Sequence, residues 1–174
     1  PVNPAVTEGF FVGVTASLEG VVGTGNWRIG AEGLGGEGGT TGRFMAELRQ
    51  RVFGMRGVTV TGRGGVATAD PLPQSAFRLG GLKTVRGFDY GTYQGQAFWS
   101  MQGDWTPLKG KVRPVLFVDV GQAGTVGGVF SQQPLVGAGA GVSFFNGIVR
   151  FDVSVPLAGP TTGLRFDIQF GAPR

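Results

Sequence analysis

The sequence predicts an all-β fold, an antiparallel transmembrane β-barrel. Three observations predict it. Nine segments alternate apolar and polar residues with period two, as strands with two different faces do. The 174 residues include 35 glycines and 10 prolines, and glycine disfavours helix interiors by about 1 kcal/mol relative to alanine. The polar side of successive segments carries opposite charges, while aromatics collect on the apolar side near segment ends.

The segments follow in chain order. Residues 10–19 set Phe10, Val12, Val14, Ala16 and Leu18 against Thr15, Ser17 and Glu19. Residues 27–33 form the second segment. Residues 43–53 oppose Phe44, Ala46, Leu48 and Val52 to Arg43, Glu47, Arg49 and Arg51, with Gln50 interrupting the apolar side. Residues 58–67, 97–108, 112–120 and 136–144 continue the series. Residues 149–155 set Val149, Phe151, Val153 and Val155 against Arg150, Asp152 and Ser154. Residues 164–170 are the clearest, with Leu164, Phe166, Ile168 and Phe170 opposite Arg165, Asp167 and Gln169. Trp27, Trp99, Trp105, Phe144 and Phe170 fit an aromatic girdle at the membrane interface.

Connections alternate in length. Short turns are expected at residues 22–26, 54–57, 106–111 and 145–147, and longer links at 34–42, 68–96, 122–134 and 158–162. Short turns on one side and long loops on the other are the outer-membrane pattern, whereas a soluble sandwich would turn its apolar face inward. Nine antiparallel strands cannot close without a parallel seam, and bacterial barrels are generally even-numbered. The expectation is therefore eight to ten strands in this chain, or the C-terminal part of a larger barrel. Residues 1–174 read as one transmembrane β-barrel domain, with a lumen-plugging loop at about 71–96.

Composition narrows the function. Charged residues are 15% and hydrophobic ones 41%, too apolar for a disordered chain. Cysteine and histidine are absent, which removes disulfides, thiolate metal sites and the commonest general base. The expectation is no enzyme, no metal and no cofactor. The net charge is +4, but the arginines alternate with apolar residues rather than clustering, so nucleic acid is not an expected partner. No run of about 18 apolar residues marks a transmembrane helix. Gly62-Arg-Gly-Gly-Val-Ala67 and Gly137-Ala-Gly-Ala-Gly141 lie within strand patterns without a following helix, so they read as small residues on a wall, not nucleotide loops. Asp152 and Asp167 are expected to balance Arg150 and Arg165 across neighbouring strands.

The most informative segment is Phe77-Arg-Leu-Gly-Gly-Leu-Lys-Thr-Val-Arg-Gly-Phe88. It places Arg86, followed by Gly87 and Phe88, in a glycine-flanked loop. Parity puts Asp104 with Ser100 and Gln102, and Asp119 with Arg113, on the polar faces of the two segments that follow. A buried arginine requires carboxylates, because an unpaired charge away from water costs several kcal/mol. The loop therefore reads as a plug held inside a barrel by Arg86, Asp104 and Asp119.

Leu79-Gly-Gly81, Val85-Arg-Gly-Phe88, Gly103-Asp-Trp-Thr-Pro-Leu108 and Leu116-Phe-Val-Asp-Val-Gly121, in this order, resemble the C-terminal barrel of the BamA/TamA/Sam superfamily of outer-membrane assembly and translocation proteins. The resemblance spans roughly residues 8–170. It implies a loop folded into the lumen, with its motif arginine, here Arg86, meeting acids at Asp104 and Asp119. It also implies a terminal insertion signal at Gly163, Phe166, Ile168 and Phe170. This chain departs from the pattern by continuing through Gly171-Ala-Pro-Arg174. The family barrel has about sixteen strands, within the known range, preceded by periplasmic domains, and neither the front half nor those domains is in this sequence. The implied role is insertion or translocation of outer-membrane proteins in a bacterial outer membrane, or an organelle outer membrane of bacterial origin. Implied partners are lipid bilayer or detergent, nascent outer-membrane proteins and periplasmic accessory domains. The alternatives are a small structural or pore-forming barrel, or the barrel module of a larger surface enzyme.

Overall fold

A computed structural model of the chain describes residues 11–36, 39–52, 57–68, 76–108 and 110–171. The strands are β1 (Phe11–Val22), β2 (Gly25–Gly36), β3 (Gly39–Arg51), β4 (Val58–Ala67), β5 (Phe77–Leu79), β6 (Tyr93–Gly95), β7 (Ala97–Trp105), β8 (Val112–Gly124), β9 (Leu135–Phe144), β10 (Val149–Ala158) and β11 (Arg165–Phe170). A single 3-10 turn, Phe145–Gly147, links β9 to β10. Among the described residues no helix is long and apolar enough to cross a membrane, which leaves open a crossing by strands.

Nine strands form one sheet in the order β1-β2-β3-β4-β7-β8-β9-β10-β11, with every neighbouring pair antiparallel. β5 and β6 form a separate ribbon within the link between β4 and β7. Among the described residues the strands are antiparallel but the sheet is not closed into a barrel, and β1 and β11 do not pair with each other. In an antiparallel sheet of nine, the first and last strands run in the same direction, so they cannot complete an antiparallel ladder.

The link expected at residues 34–42 is corrected. β2 and β3 stay paired as far as Gly36 opposite Gly39. Glycine carries no apolar–polar alternation, yet its backbone still makes ladder hydrogen bonds, so the pattern stops before the strands do. β8 likewise runs on to Gly124, three residues into its expected link. Residues 54–56 of one expected short turn, 71–75 of the plug loop and the 172–174 tail lie outside the described residues.

Register explains the polar face. Glu19 pairs with Arg28, Arg28 with Glu47, and Glu47 with Arg63, so acids and bases alternate along one row across β1 to β4. The Arg28–Glu19 and Arg63–Glu47 ion pairs measure 2.8 and 2.7 Å. The opposite face is apolar and exposed. It carries Val14, Leu18, Leu48, Met101, Leu116, Val118, Phe151 and Phe166, the last 74% exposed. The polarity is thus inverted relative to a water-soluble sandwich. The apolar core is small, with Ala67, Phe77, Leu79, Val85, Phe88, Phe98, Ala123 and Leu135 packed where the loop lies on the inward face of the sheet.

Candidate functional site

The site begins with a tightly folded loop. The Thr84 hydroxyl donates to the Gly80 carbonyl and accepts from the Gly80 N–H, both at 2.9 Å. Gly81 and Val85 form a bridge, and Gly81 N–H donates to the Phe88 carbonyl at 2.9 Å. These bonds hold Arg86 at the tip, pointing at the sheet. Gly87 follows at φ +94°, a left-handed conformation that other residues adopt only with strain, and it lies against the Val155 backbone. Phe88 is fully buried, against Leu135 and Gly159.

Arg86 is 3% exposed and Asp119 is 0% exposed. Arg86 Nε and Nη2 donate to the two oxygens of Asp119, each at 2.6 Å, and its backbone N–H donates to Asp119 Oδ2 at 2.9 Å. Arg86 Nη1 donates to Asp104 Oδ1 at 2.9 Å. The guanidinium also stacks over the Phe117 ring, 3.8 Å from its centroid. A bidentate fork fixes orientation as well as charge. Burial by itself would lower the Arg86 pKa. The hydrogen bonds to Asp119 and the charges of Asp104 and Asp119 outweigh burial and hold it above its ordinary value, so the side chain stays cationic.

The structure thus brings Arg86, Asp104 and Asp119 into one cluster, with Gly87 and Phe88 seating the loop beside it. Gly163, Phe166, Ile168 and Phe170 lie elsewhere. Gly163 precedes β11 at φ +119°, and the three apolar side chains are exposed on the outward face of that strand.

Sequence reasoning missed several members. Arg150 Nη1 donates to Asp104 Oδ1 at 3.0 Å, and its Nε donates to Asp152 Oδ1 at 2.7 Å. Gln102 donates to the Leu82 carbonyl at 3.1 Å, and its other contacts are Arg63 and Asp119. Gln169 donates to Asp152 Oδ2. β9 has glycine at every inward position from 137 to 141. A Cβ at Gly137 would overlap the Arg86 carbonyl oxygen, and one at Gly139 would reach 2.5 Å from the Phe117 ring. The alternate spacing of these glycines was the available signal for a close approach.

The expected cross-strand balance of Asp152 and Asp167 is corrected. Asp152 and Asp167 face each other directly across β10 and β11. Each is neutralised along its own strand, by Arg150 and Arg165 respectively. Side chains two apart in a strand share a face, so a long arginine can fold back onto an acid two residues on.

No curated protein matches the chain. A family model described as haemolysin secretion/activation protein ShlB/FhaC/HecB matches residues 63–144. The matched stretch runs from β4 through β9 and contains the loop together with Arg86, Asp104 and Asp119. Over these residues the chain is similar to the haemolysin secretion/activation family.

Proposed function

We propose that this chain is part of an outer-membrane β-barrel that moves polypeptide across or into the membrane, without catalysing covalent chemistry. One observation carries the reading: the exposed face of the sheet is apolar, while its inward face buries a charge-locked loop. Lipid is the solvent that favours such a surface, and a lumen is the place that favours such charges. The similarity over residues 63–144 to a secretion/activation family, whose members are outer-membrane secretion proteins, favours export over assembly. Insertion of nascent outer-membrane proteins, as in the BamA/TamA/Sam proteins, is the second reading. It draws on the Val85-Arg-Gly-Phe88 motif and on the edges of β1 and β11, unpaired among the described residues, which can template an incoming strand. Partners are lipid, the exported or inserted polypeptide, and periplasmic accessory domains.

The test deletes the full gene in its native bacterium and restores wild type or Arg86→Ala. Secreted and outer-membrane proteomes are then compared by mass spectrometry. Export predicts loss of one or a few secreted proteins with the outer-membrane proteome intact. Assembly predicts a broad fall in outer-membrane proteins. Steady conductance in planar bilayers with neither defect would assign a simple pore. Recovery of the protein in the soluble fraction without detergent would sink the membrane reading altogether.

A further inference from the structure

The short-turn rim of the inward face holds a second group of polar side chains, joined to the Arg86 cluster through the bond of Arg150 to Asp104. Arg113 on β8 and Arg150 on β10 are both register partners of Ser143 on β9. All three therefore share one face, with the two arginines two strand spacings apart, about 10 Å at Cα. Ser143 is 5% exposed.

Two guanidinium nitrogens here, Arg113 Nε and Arg150 Nη2, are buried without an acceptor among the described residues. The nearby carboxylates are already committed. Asp104 takes Arg86 and Arg150, and Asp152 takes Arg150 and Gln169. Gly147 lies beside Arg113 and Ser143. A Cβ there would lie 3.7 Å from Arg113 Nη2 and 4.0 Å from Ser143 Oγ, so both approach one point left open by a missing side chain. Lys111, exposed two residues before Arg113, adds positive charge at the same rim.

A guanidinium has five N–H donors and no acceptor, so its spare nitrogens are satisfied by water or by an oxyanion. A buried donor left without a partner is costly, and charge-assisted bonds to oxyanions are the strong ones. We propose that Arg113, Ser143 and Arg150 form an oxyanion-binding site at the short-turn rim, for a carboxylate or phosphate group. The ligand accepts from both guanidinium groups and from the Ser143 hydroxyl, and no bond is made or broken.

The test uses the full chain refolded in zwitterionic detergent. Inorganic phosphate or acetate is titrated against chloride at constant ionic strength, with thermal unfolding and, for phosphate, the ³¹P line width as readouts. Wild type should show a saturable rise in unfolding temperature and ³¹P broadening. Arg113→Gln should weaken the response at least about tenfold, Arg113→Lys should weaken it less, and Ser143→Ala should fall between wild type and Arg113→Gln. The oxyanion with the lower half-saturation identifies the source as carboxylate or phosphate. Equal response to phosphate, acetate and chloride in wild type would overturn the site, as would an undiminished response in Arg113→Gln. Should Arg113→Gln not refold, the wild-type titration and Ser143→Ala decide. Arg86→Ala serves as a control, because it removes none of the three residues and leaves Arg150 its bonds to Asp104 and Asp152. An intact phosphate response there separates this site from the export reading.

Discussion

Replacing Arg86 by alanine removes two hydrogen bonds to Asp119 and one to Asp104. The two acids do not lose equally. Asp104 keeps Arg150 at 3.0 Å. Asp119, fully buried, keeps only the residue-86 backbone N–H and a long contact to Gln102 at 3.4 Å. The cost therefore concentrates on one uncompensated carboxylate. Breaking a buried pair from one side costs about 3–5 kcal/mol, roughly two to four orders of magnitude in the unfolding equilibrium at about 1.4 kcal/mol per decade. Asp119→Asn should cost nearly as much, since it removes the fork's partner. Asp104→Asn should cost about 1.5–3 kcal/mol, the range for hydrogen bonds to a charged group, because it weakens the bonds from Arg86 and Arg150 while Arg86 still holds Asp119. The assay is urea unfolding of protein refolded into detergent, followed by tryptophan fluorescence, for the single variants and the Arg86→Ala/Asp119→Ala double variant. A loss within about 0.5 kcal/mol for Arg86→Ala, typical of a solvated pair, would refute the reasoning. An Asp104→Asn cost above that of Asp119→Asn would refute the unequal division.

Three further outcomes follow from the same geometry. Gly137→Val places atoms where the Arg86 carbonyl sits, so it should expel the loop and raise protease cleavage between residues 80 and 90 several-fold, read by mass spectrometry. Asp89→Asn should change stability by less than about 1 kcal/mol in the same urea assay, because the Asp89 side chain in its pair with Arg165 is 84% exposed. Ile168→Lys, on the exposed apolar face of β11, should cost up to about 2–4 kcal/mol in lipid vesicles if it lies near the midplane; an unchanged refolding yield there would mean that this face meets water.

Strand identity was legible because side chains report it. Leu164 to Phe170 alternate cleanly, and β11 falls within that stretch. Strand length was less legible where side chains fall silent. Gly33, Gly35, Gly36 and Gly39 carry no pattern, yet their ladder persists, so β2 and β3 outran the expectation. Parity placed Asp104 and Asp119 on one face, and a single arginine joins them there. Arg150 stayed hidden because its contact with Asp104 spans 46 residues of sequence, while a nearer acid, Asp152, offered a complete local account. Phe117 and Gly137 were illegible for a different reason. Their importance lies in what the loop lays against them, and no local pattern encodes a segment arriving from elsewhere in the chain.

An apolar loop would cover this face of the sheet as stably, since well-packed hydrophobic groups often equal a buried ion pair. What the charged version adds is connection. Arg86 holds Asp104 on β7 and Asp119 on β8, and Asp104 passes contact to Arg150 on β10. Arg150 holds Asp152, which accepts from Gln169 on β11. A second route runs from Asp89 beside the loop to Arg165 on the same strand. Among the described residues β11 has a hydrogen-bonded neighbour on one side only, so its inward polar contacts add to the ladder with β10. Two of those contacts depend, directly or through intermediates, on where the loop sits. Withdrawing the loop thus weakens the edge of the sheet as well as baring its inward face, and an apolar loop, lacking directional bonds, could do only the second.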